Sequence, residues 1–281
     1  MLIAQISDPH VLAPGKLFHA PEKAAPLGAG PDWSRIDTAA CLAQAVVELN
    51  ALAPRPDVAV VTGDLVDHGS AAEYEHLRAI LAALVMPVFV IPDNHDSREG
   101  MREAFAREGY LPRAGFLHYA IEEYSLRIVA LDTHIPGEHG GLLCAERLAW
   151  FDFGVGRRAR AADRPPDAPP ALRHPHRAYG PLRAAGHRRL FRDCVPQSAN
   201  RAHLVRHLHR AIDRRFCRHG RRDRAEHGPS GLARSRAGGT AAIRFEPPGY
   251  QLQLWREGAG LVSHTAVSGD RPGSYPFRAA G

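Results

Sequence analysis

Five residues, Pro92-Asp93-Asn94-His95-Asp96, close an apolar run that extends from Met86 to Ile91. Asp, Asn and His offer oxygen and nitrogen donors suited to divalent cations, and a strand ending on them carries those donors to the carboxyl edge of a sheet. The same ending occurs twice earlier. Leu2-Ile3-Ala4-Gln5-Ile6 runs into Ser7-Asp8-Pro9-His10, and Val58-Ala59-Val60-Val61 runs into Thr62-Gly63-Asp64. Taken singly, Asp8 reads equally well as a turn residue and Asp64 as a helix cap. Three such endings in succession point to one shared site. A carboxylate shared by two divalent ions holds them roughly 3.5–4 Å apart, and such a pair lowers the pKa of a bound water toward neutrality. It also neutralises the oxygens that gain charge when phosphorus is attacked.

The elements that must hold these side chains follow from periodicity. Met86 to Ile91 has the length and β-branched content of a buried strand. Asp37 to Leu52 places Ala40, Leu42, Val46, Val47 and Leu49 at helical spacing, with Asp37 or Thr38 as N-cap and Pro54 and Pro56 beyond its end. Ser70 to Leu84 is predicted as a second helix, with Ser70 and Glu73 forming a capping box. A third helix is expected near Arg98 to Arg107. Strand–helix–strand–helix–strand is the pattern of parallel strands joined by crossover helices. The Gly/Pro-rich stretch from Ala13 to Pro31 is long for a connection and reads as a functional or mobile loop.

Further on, Gly115–Glu123 and Leu126–Asp132 read as two strands, and Asp132-Thr133-His134 adds another polar cluster at a strand end. Leu143–Phe153 is predicted helical, with Leu148, Trp150 and Phe151 inward. Tyr250–Trp255 alternates as a strand, Tyr250, Leu252 and Leu254 on one face and Gln251, Gln253 and Trp255 on the other. Gly260–Val267 is its hairpin partner. His68, His134 and His139 read as loop or surface histidines.

With 281 residues, 44% apolar and 23% charged, the chain has the means to bury a substantial core, and residues 1–281 are read as a single domain. No apolar run reaches the roughly 18 residues of a membrane span, and no leader precedes the first strand, so a cytoplasmic protein is expected. Cys41, Cys144, Cys194 and Cys217 form no C-x-x-C pair, which argues against a zinc knuckle or a disulfide framework. Cys41, in an apolar helical pattern, reads as a buried free thiol. The net charge of +6 hides an asymmetry: Phe151 to Arg236 holds 21 Arg, no Lys and 7 acidic residues, a balance of +14, and the remainder is net −8. From about Gly154 to Arg236 the apolar residues keep neither period, so this Arg-rich segment is anomalous.

Asp8-x-His10, Gly63-Asp64 and Asn94-His95-Asp96 resemble the opening motifs of the calcineurin-like metallophosphoesterases. With the Asp132-Thr133 strand, they most resemble the branch of bacterial class III cyclic-nucleotide phosphodiesterases and glycerophosphodiesterases. The resemblance covers Met1 to about Asp152 and resumes over Phe245 to Phe277. It implies a four-layer α/β/β/α sandwich and a phosphoric diester hydrolase in which metal-bound hydroxide attacks a 3′,5′-cyclic nucleotide or a glycerophosphodiester. It also implies two divalent metal ions (Mn, Fe or Zn). Asp8 and His10 become ligands of the first, Asp64 the bridging carboxylate, and Asn94 a ligand of the second. His95 becomes a catalytic group that assists the leaving oxygen. Arg206-His207-Leu208-His209 matches a later family segment, making His209 a ligand of the first metal and His207 of the second. In Arg173-His174-Pro175-His176 the family's leading His is Arg173, and His174 substitutes only after a one-residue slip. Asp93 stands where the family has glycine; its side chain is expected to crowd a tight turn and to leave the first metal site the better formed of the two.

The resemblance implies a small phosphodiester as partner and leaves room for a homo-oligomer. Neither a membrane nor nucleic acid is expected. Three readings compete for the Arg-rich segment. It is a nucleic-acid-binding insert, although it lacks Lys and has few aromatics. It is a disordered insert, as its composition permits. Or it is a shifted reading frame in a GC-rich gene: one codon choice for Glu226 to Ser235, read one base along, spells Ser-Thr-Ala-His-Gln-Val-Ser-Leu-Asp, which resembles the family segment after the Gly-His-x-His motif. The alternatives to a working diesterase are an inactive or impaired homologue, or a protein that binds nucleic acid or a partner through this segment. A phosphomonoesterase or nuclease on the same scaffold is a nearer rival.

Overall fold

The computed structural model describes residues 1–19, 35–138, 141–151, 248–257 and 259–269, together with the strands at 202–205 and 212–215. Its strands in chain order are β1 (Leu2–Ser7), β2 (Phe18–His19), β3 (Arg35–Ile36), β4 (Val58–Thr62), β5 (Val88–Ile91), β6 (Tyr119–Ile121), β7 (Ile128–Ala130), β8 (Ala202–Val205), β9 (Ile212–Arg215), β10 (Gly249–Arg256) and β11 (Gly260–Val267). The helices are α1 (Thr38–Ala51), α2 (Ala71–Leu81) and α3 (Arg98–Ala104), and residues 145–151 are also helical.

One five-stranded sheet organises these elements, in the order β11-β10-β1-β4-β5. β1, β4 and β5 run parallel, in the register Ile6↔Val61 and Val61↔Val90, so their carboxyl ends lie side by side. That is the arrangement the alternating strands and helices predict. β10 joins on the other side of β1, antiparallel, with Leu2 opposite Leu254. The central sheet is therefore mixed. β6–β7, β2–β3 and β8–β9 form separate antiparallel pairs.

The two faces of the sheet follow from alternation along each strand. Ala4, Ile6, Ala59, Val61 and Val90 face α1, α2 and α3 and pack on Leu42, Val46, Leu49, Leu77, Leu81 and Met101. Each Val, Leu, Ile or Met among them that is fully withdrawn from water contributes roughly 1.5–3 kcal/mol. Ile3, Val58, Val60 and Phe89 lie on the opposite face and meet Tyr119, Ile121 and Ala130 of β6 and β7. The helix starts are as the sequence predicts. Asp37 caps α1 by accepting from Ala40 N, and Ser70 with Glu73 closes a reciprocal capping box on α2. Cys41 is a free thiol, half-buried on α1.

Several expectations are refined. α3 ends at Ala104, three residues short of Arg107, and β6 and β7 are three residues each within the longer stretches expected. The alternation along β10 holds, and its glutamine face is buried. Gln251 and Gln253 are buried with Gln5; Gln253 Nε2 donates to Gln251 Oε1 at 3.1 Å, and Gln5 Nε2 donates to Thr62 Oγ1 at 3.1 Å. Amides that satisfy one another can be buried at little cost. Among the described residues, no helix is long and apolar enough to cross a membrane. The Arg-rich segment, apart from the backbone of β8 and β9, lies outside the described residues, as do His139 and most of the loop from Ala13 to Pro31.

Candidate metal centre

The chain beyond β1 continues alongside the chain beyond β4. Asp8 N donates to Thr62 O at 2.9 Å, His10 N to Asp64 O at 3.0 Å and Val11 N to Leu65 O at 3.0 Å. Keeping this parallel contact past the strand ends forces Asp8 and His10 to φ 52° and 42°, in the left-handed region that side chains other than glycine seldom occupy. Each such residue costs on the order of 1–3 kcal/mol and persists where its surroundings over-determine it. Gly63 has φ 81°, and a Cβ there would run into the carboxylate of Asp8. Glycine thus lets that carboxylate lie against the β4 turn.

Here the sequence-derived residues meet. His10, Asp64 and His95 each present a donor atom, and the three atoms lie within 4.8 Å of one another. His10 Nε2 is 3.5 Å from Asp64 Oδ2, and the His10 and His95 rings meet edge to face at 4.9 Å. His95 N donates to Asp64 Oδ1 at 3.1 Å, which brings the β5 turn, and with it the half-buried Asn94, to the same carboxylate. Asp8 acts on His10 through its charge. His174, His207 and His209 lie outside the described residues.

Asp93 does not crowd its turn as expected. Its backbone stays out of the left-handed region, and its carboxylate accepts from Asn94 N at 2.8 Å. The turn is braced instead by Asp96, whose Oδ2 accepts from Asp93 N at 2.9 Å and Leu65 N at 3.2 Å, while Oδ1 accepts from Tyr74 OH at 3.1 Å. One buried carboxyl therefore ties the loops after β4 and β5 together. Burial pushes its pKa up to about 8, with the charge of Asp64 adding to the rise against the backbone hydrogen bonds that oppose it.

Sequence reasoning missed Asp67. It lies three residues beyond Asp64 in the same loop, and that position was the only signal it gave. Its Oδ1 is 3.1 Å from His10 Nδ1, and its backbone oxygen is 2.6 Å from His95 Nδ1. Carboxylate and carbonyl oxygens accept, so both Nδ1 atoms carry the proton, and Nε2 is the ring nitrogen left to face a ligand. Burial works against a charged His10, but the Asp67 hydrogen bond and the charges of Asp64, Asp67 and Asp8 outweigh it and raise its pKa. His10 in turn holds Asp67 below the usual carboxylate range. The carboxylates of Asp8, Asp64 and Asp67 thus make the surroundings of His10 negative, as a cation site requires.

Asp132, Arg98, Arg147 and His134 form a second cluster beside the first. Arg98 begins α3 three residues after His95; its Nε and Nη2 donate to the fully buried Asp132 carboxylate at 2.6 and 2.8 Å. His134 lies in a loop, one of the two places expected for it, but is buried at 6% exposure, and Arg98 and Arg147 both donate to its carbonyl, at 2.6 and 2.9 Å. His68 is exposed as expected.

Whether the residues suit a divalent cation is decided by the donors themselves. Asp8 Oδ1 is buried and has no hydrogen-bond partner, a costly state for a carboxylate oxygen. It belongs to a set of Asp and His donors whose chemistry suits Mn, Fe or Zn. The residues fit.

Comparison with known proteins gives the same direction. Residues 1–226 match the family model described as calcineurin-like phosphoesterase. The chain is 28% identical over 286 residues to a probable glycerophosphodiester phosphodiesterase GpdQ of Arcobacter nitrofigilis, covering 99% of this chain and 97% of that protein. It is 31% identical over 169 residues to a glycerophosphodiester phosphodiesterase GpdQ of Enterobacter lignolyticus, covering 59% of this chain and 54% of that one. It is 33% identical over 123 residues to a cAMP/cGMP dual specificity phosphodiesterase of Mycobacterium tuberculosis, covering 42% and 38%.

Proposed function

Because the chain belongs to the calcineurin-like phosphoesterase family, we propose that it is a phosphoric diester hydrolase acting on a 3′,5′-cyclic nucleotide or a glycerophosphodiester. The observation that carries this reading is the gathering of His10, Asp64 and His95 from the ends of three adjacent parallel strands. The substrate class is supported by relatives named for those two kinds of ester.

In this reading Asp8 and His10 would hold one divalent cation and Asn94 a second, with Asp64 serving both. His207, His209 and, after a one-residue slip, His174 complete the sets. When bound, such cations supply Lewis acidity, lowering the pKa of a coordinated water and neutralising charge on the phosphoryl oxygens. The remaining work falls to the chain. Asp67 fixes the tautomers of His10 and His95. His95, with Nδ1–H bonded to the Asp67 carbonyl, presents Nε2 to the site, and in its doubly protonated form can give the Nε2 proton to the departing alkoxide, leaving the neutral ring. Asp96 and Tyr74 keep the two loops from moving apart. The sheet with helices on one face, and β6–β7 against the other, supports a four-layer α/β/β/α sandwich.

The test is hydrolysis by the full chain with Mn²⁺, using cyclic AMP, glycerophosphocholine, bis(p-nitrophenyl) phosphate and the monoester p-nitrophenyl phosphate. Turnover of diesters is expected, with Asp64→Ala losing more than the roughly 10–100-fold that changes behind the ligands cost. A preference for the monoester, or diester turnover that survives Asp64→Ala, contradicts the reading.

A further inference from the structure

Asp132-Thr133-His134 ends β7 with the same kind of polar residues that end β1, β4 and β5, and the reading above assigns His134 no work. Its backbone is held from every side. His134 N donates to Asp132 Oδ1 at 3.0 Å, its carbonyl accepts from two guanidiniums, and Leu142 N donates to Thr133 O at 2.8 Å. Arg98 and Arg147 are themselves seated against Phe116, 5.2 and 4.0 Å from its ring centre. So fixed a backbone carries an imidazole that is buried yet has Nδ1 without a hydrogen-bond partner. A histidine kept for packing would be expected to bond its ring nitrogens, since an unsatisfied buried polar atom costs roughly 1–3 kcal/mol. The cost makes sense if the partner arrives with a ligand.

We propose that His134 contacts the substrate of the same site, its imidazole N–H donating to a phosphate oxygen of the bound diester beside Asp64. Two observations place it there. Arg98, which grips the His134 carbonyl, starts the helix that directly follows the His95 loop. The Asp64 carboxylate is also near enough to act on the charge of the imidazole. Burial and the flanking guanidiniums lower the pKa of that imidazole and so favour its neutral form, which donates a hydrogen bond without adding a full charge. Phosphate oxygens only accept, which makes an N–H the complementary group.

The inference rests on the phosphodiesterase reading, and the experiment separates the two. Full-length protein loaded with Mn²⁺ is compared as wild type, His134→Leu, which removes the N–H and keeps bulk, and His134→Gln, which restores an N–H. Inorganic phosphate binding is measured by calorimetry, bis(p-nitrophenyl) phosphate turnover by steady-state kinetics, and metal content and far-UV circular dichroism alongside. His134→Leu is expected to keep wild-type metal content and dichroism, to weaken phosphate binding about 10-fold, the scale of one hydrogen bond to a charged group, and to raise KM more than it lowers kcat. His134→Gln is expected to recover most of that loss. Unchanged phosphate affinity in His134→Leu overturns the proposal while leaving the hydrolase standing. Loss of fold or metal in His134→Leu overturns it too, by making the residue structural. Wild type that binds phosphate through His134 but cleaves no diester overturns the hydrolase reading alone.

Discussion

Asp67 does at the residue scale what the strand ends cannot do alone. A histidine acts through one ring nitrogen only when the other is tied down, and one residue does this for two rings, with its carboxylate on His10 and its carbonyl on His95. Replacing Asp67 by Ala keeps the carbonyl and removes the carboxylate, so the effect should fall on His10. We expect a roughly 10–100-fold loss of divalent metal affinity, read by titration with Mn²⁺, with little change in folding. An unchanged affinity would show that His10 is oriented by something else. Asp8, His10, Asp64 and His95 were legible in the sequence because an apolar strand followed by a polar turn fixes both the direction and the place of the next side chains. Asp67 and His134 were not. Each acts through how its loop folds back on a neighbour, and no local pattern records that.

At the scale of elements, the Arg98–Asp132 pair joins α3 to the end of β7 and so supports the His95 loop from behind. Asp132 is fully buried and also accepts from Leu117 N at 2.9 Å. Removing it strands a guanidinium and two amides, those of Leu117 and His134, in a dry place, and Asp132→Ala is expected to destabilise the fold by about 3–5 kcal/mol. Urea unfolding checks this; a change below 1 kcal/mol would show that water replaces the carboxylate. His118 gives the same region a pH dependence. Burial holds its pKa down at about 4, and its Nδ1 accepts from Asp132 N at 3.0 Å, a contact only the neutral ring makes. The unfolded chain, with an ordinary histidine pKa near 6.5, takes up the proton first as the pH drops. Stability from this group is therefore complete above about pH 6.5 and declines toward pH 4. In His118→Phe that part of the decline is expected to vanish from the urea midpoints. The strands and helices of the first half were readable, capping box included, since period and cap chemistry are local. The buried glutamine face of β10 was not, because its satisfaction depends on Gln5, some 248 residues away in the chain.

For the whole molecule, the sheet is closed by distant parts of the sequence. Met1 N donates to Trp255 O at 3.1 Å, and β10 runs antiparallel to β1. Alternation foretold the β10–β11 hairpin but not its place next to β1, since strand order is set by which apolar faces remain to be covered. Outside Phe151 to Arg236 the chain is net −8, and three of its carboxylates, Asp8, Asp64 and Asp67, gather where β1 and β4 end, so a cation is the natural counter-charge. The account stands on that convergence. The direct measurement is the stoichiometry of tightly bound Mn²⁺ or Zn²⁺ on the full chain after gel filtration, by plasma mass spectrometry, in wild type and Asp64→Ala. Two equivalents in the wild type, both lost in Asp64→Ala while the fold is kept, is the predicted result. A wild type that retains no more metal than Asp64→Ala would contradict the account.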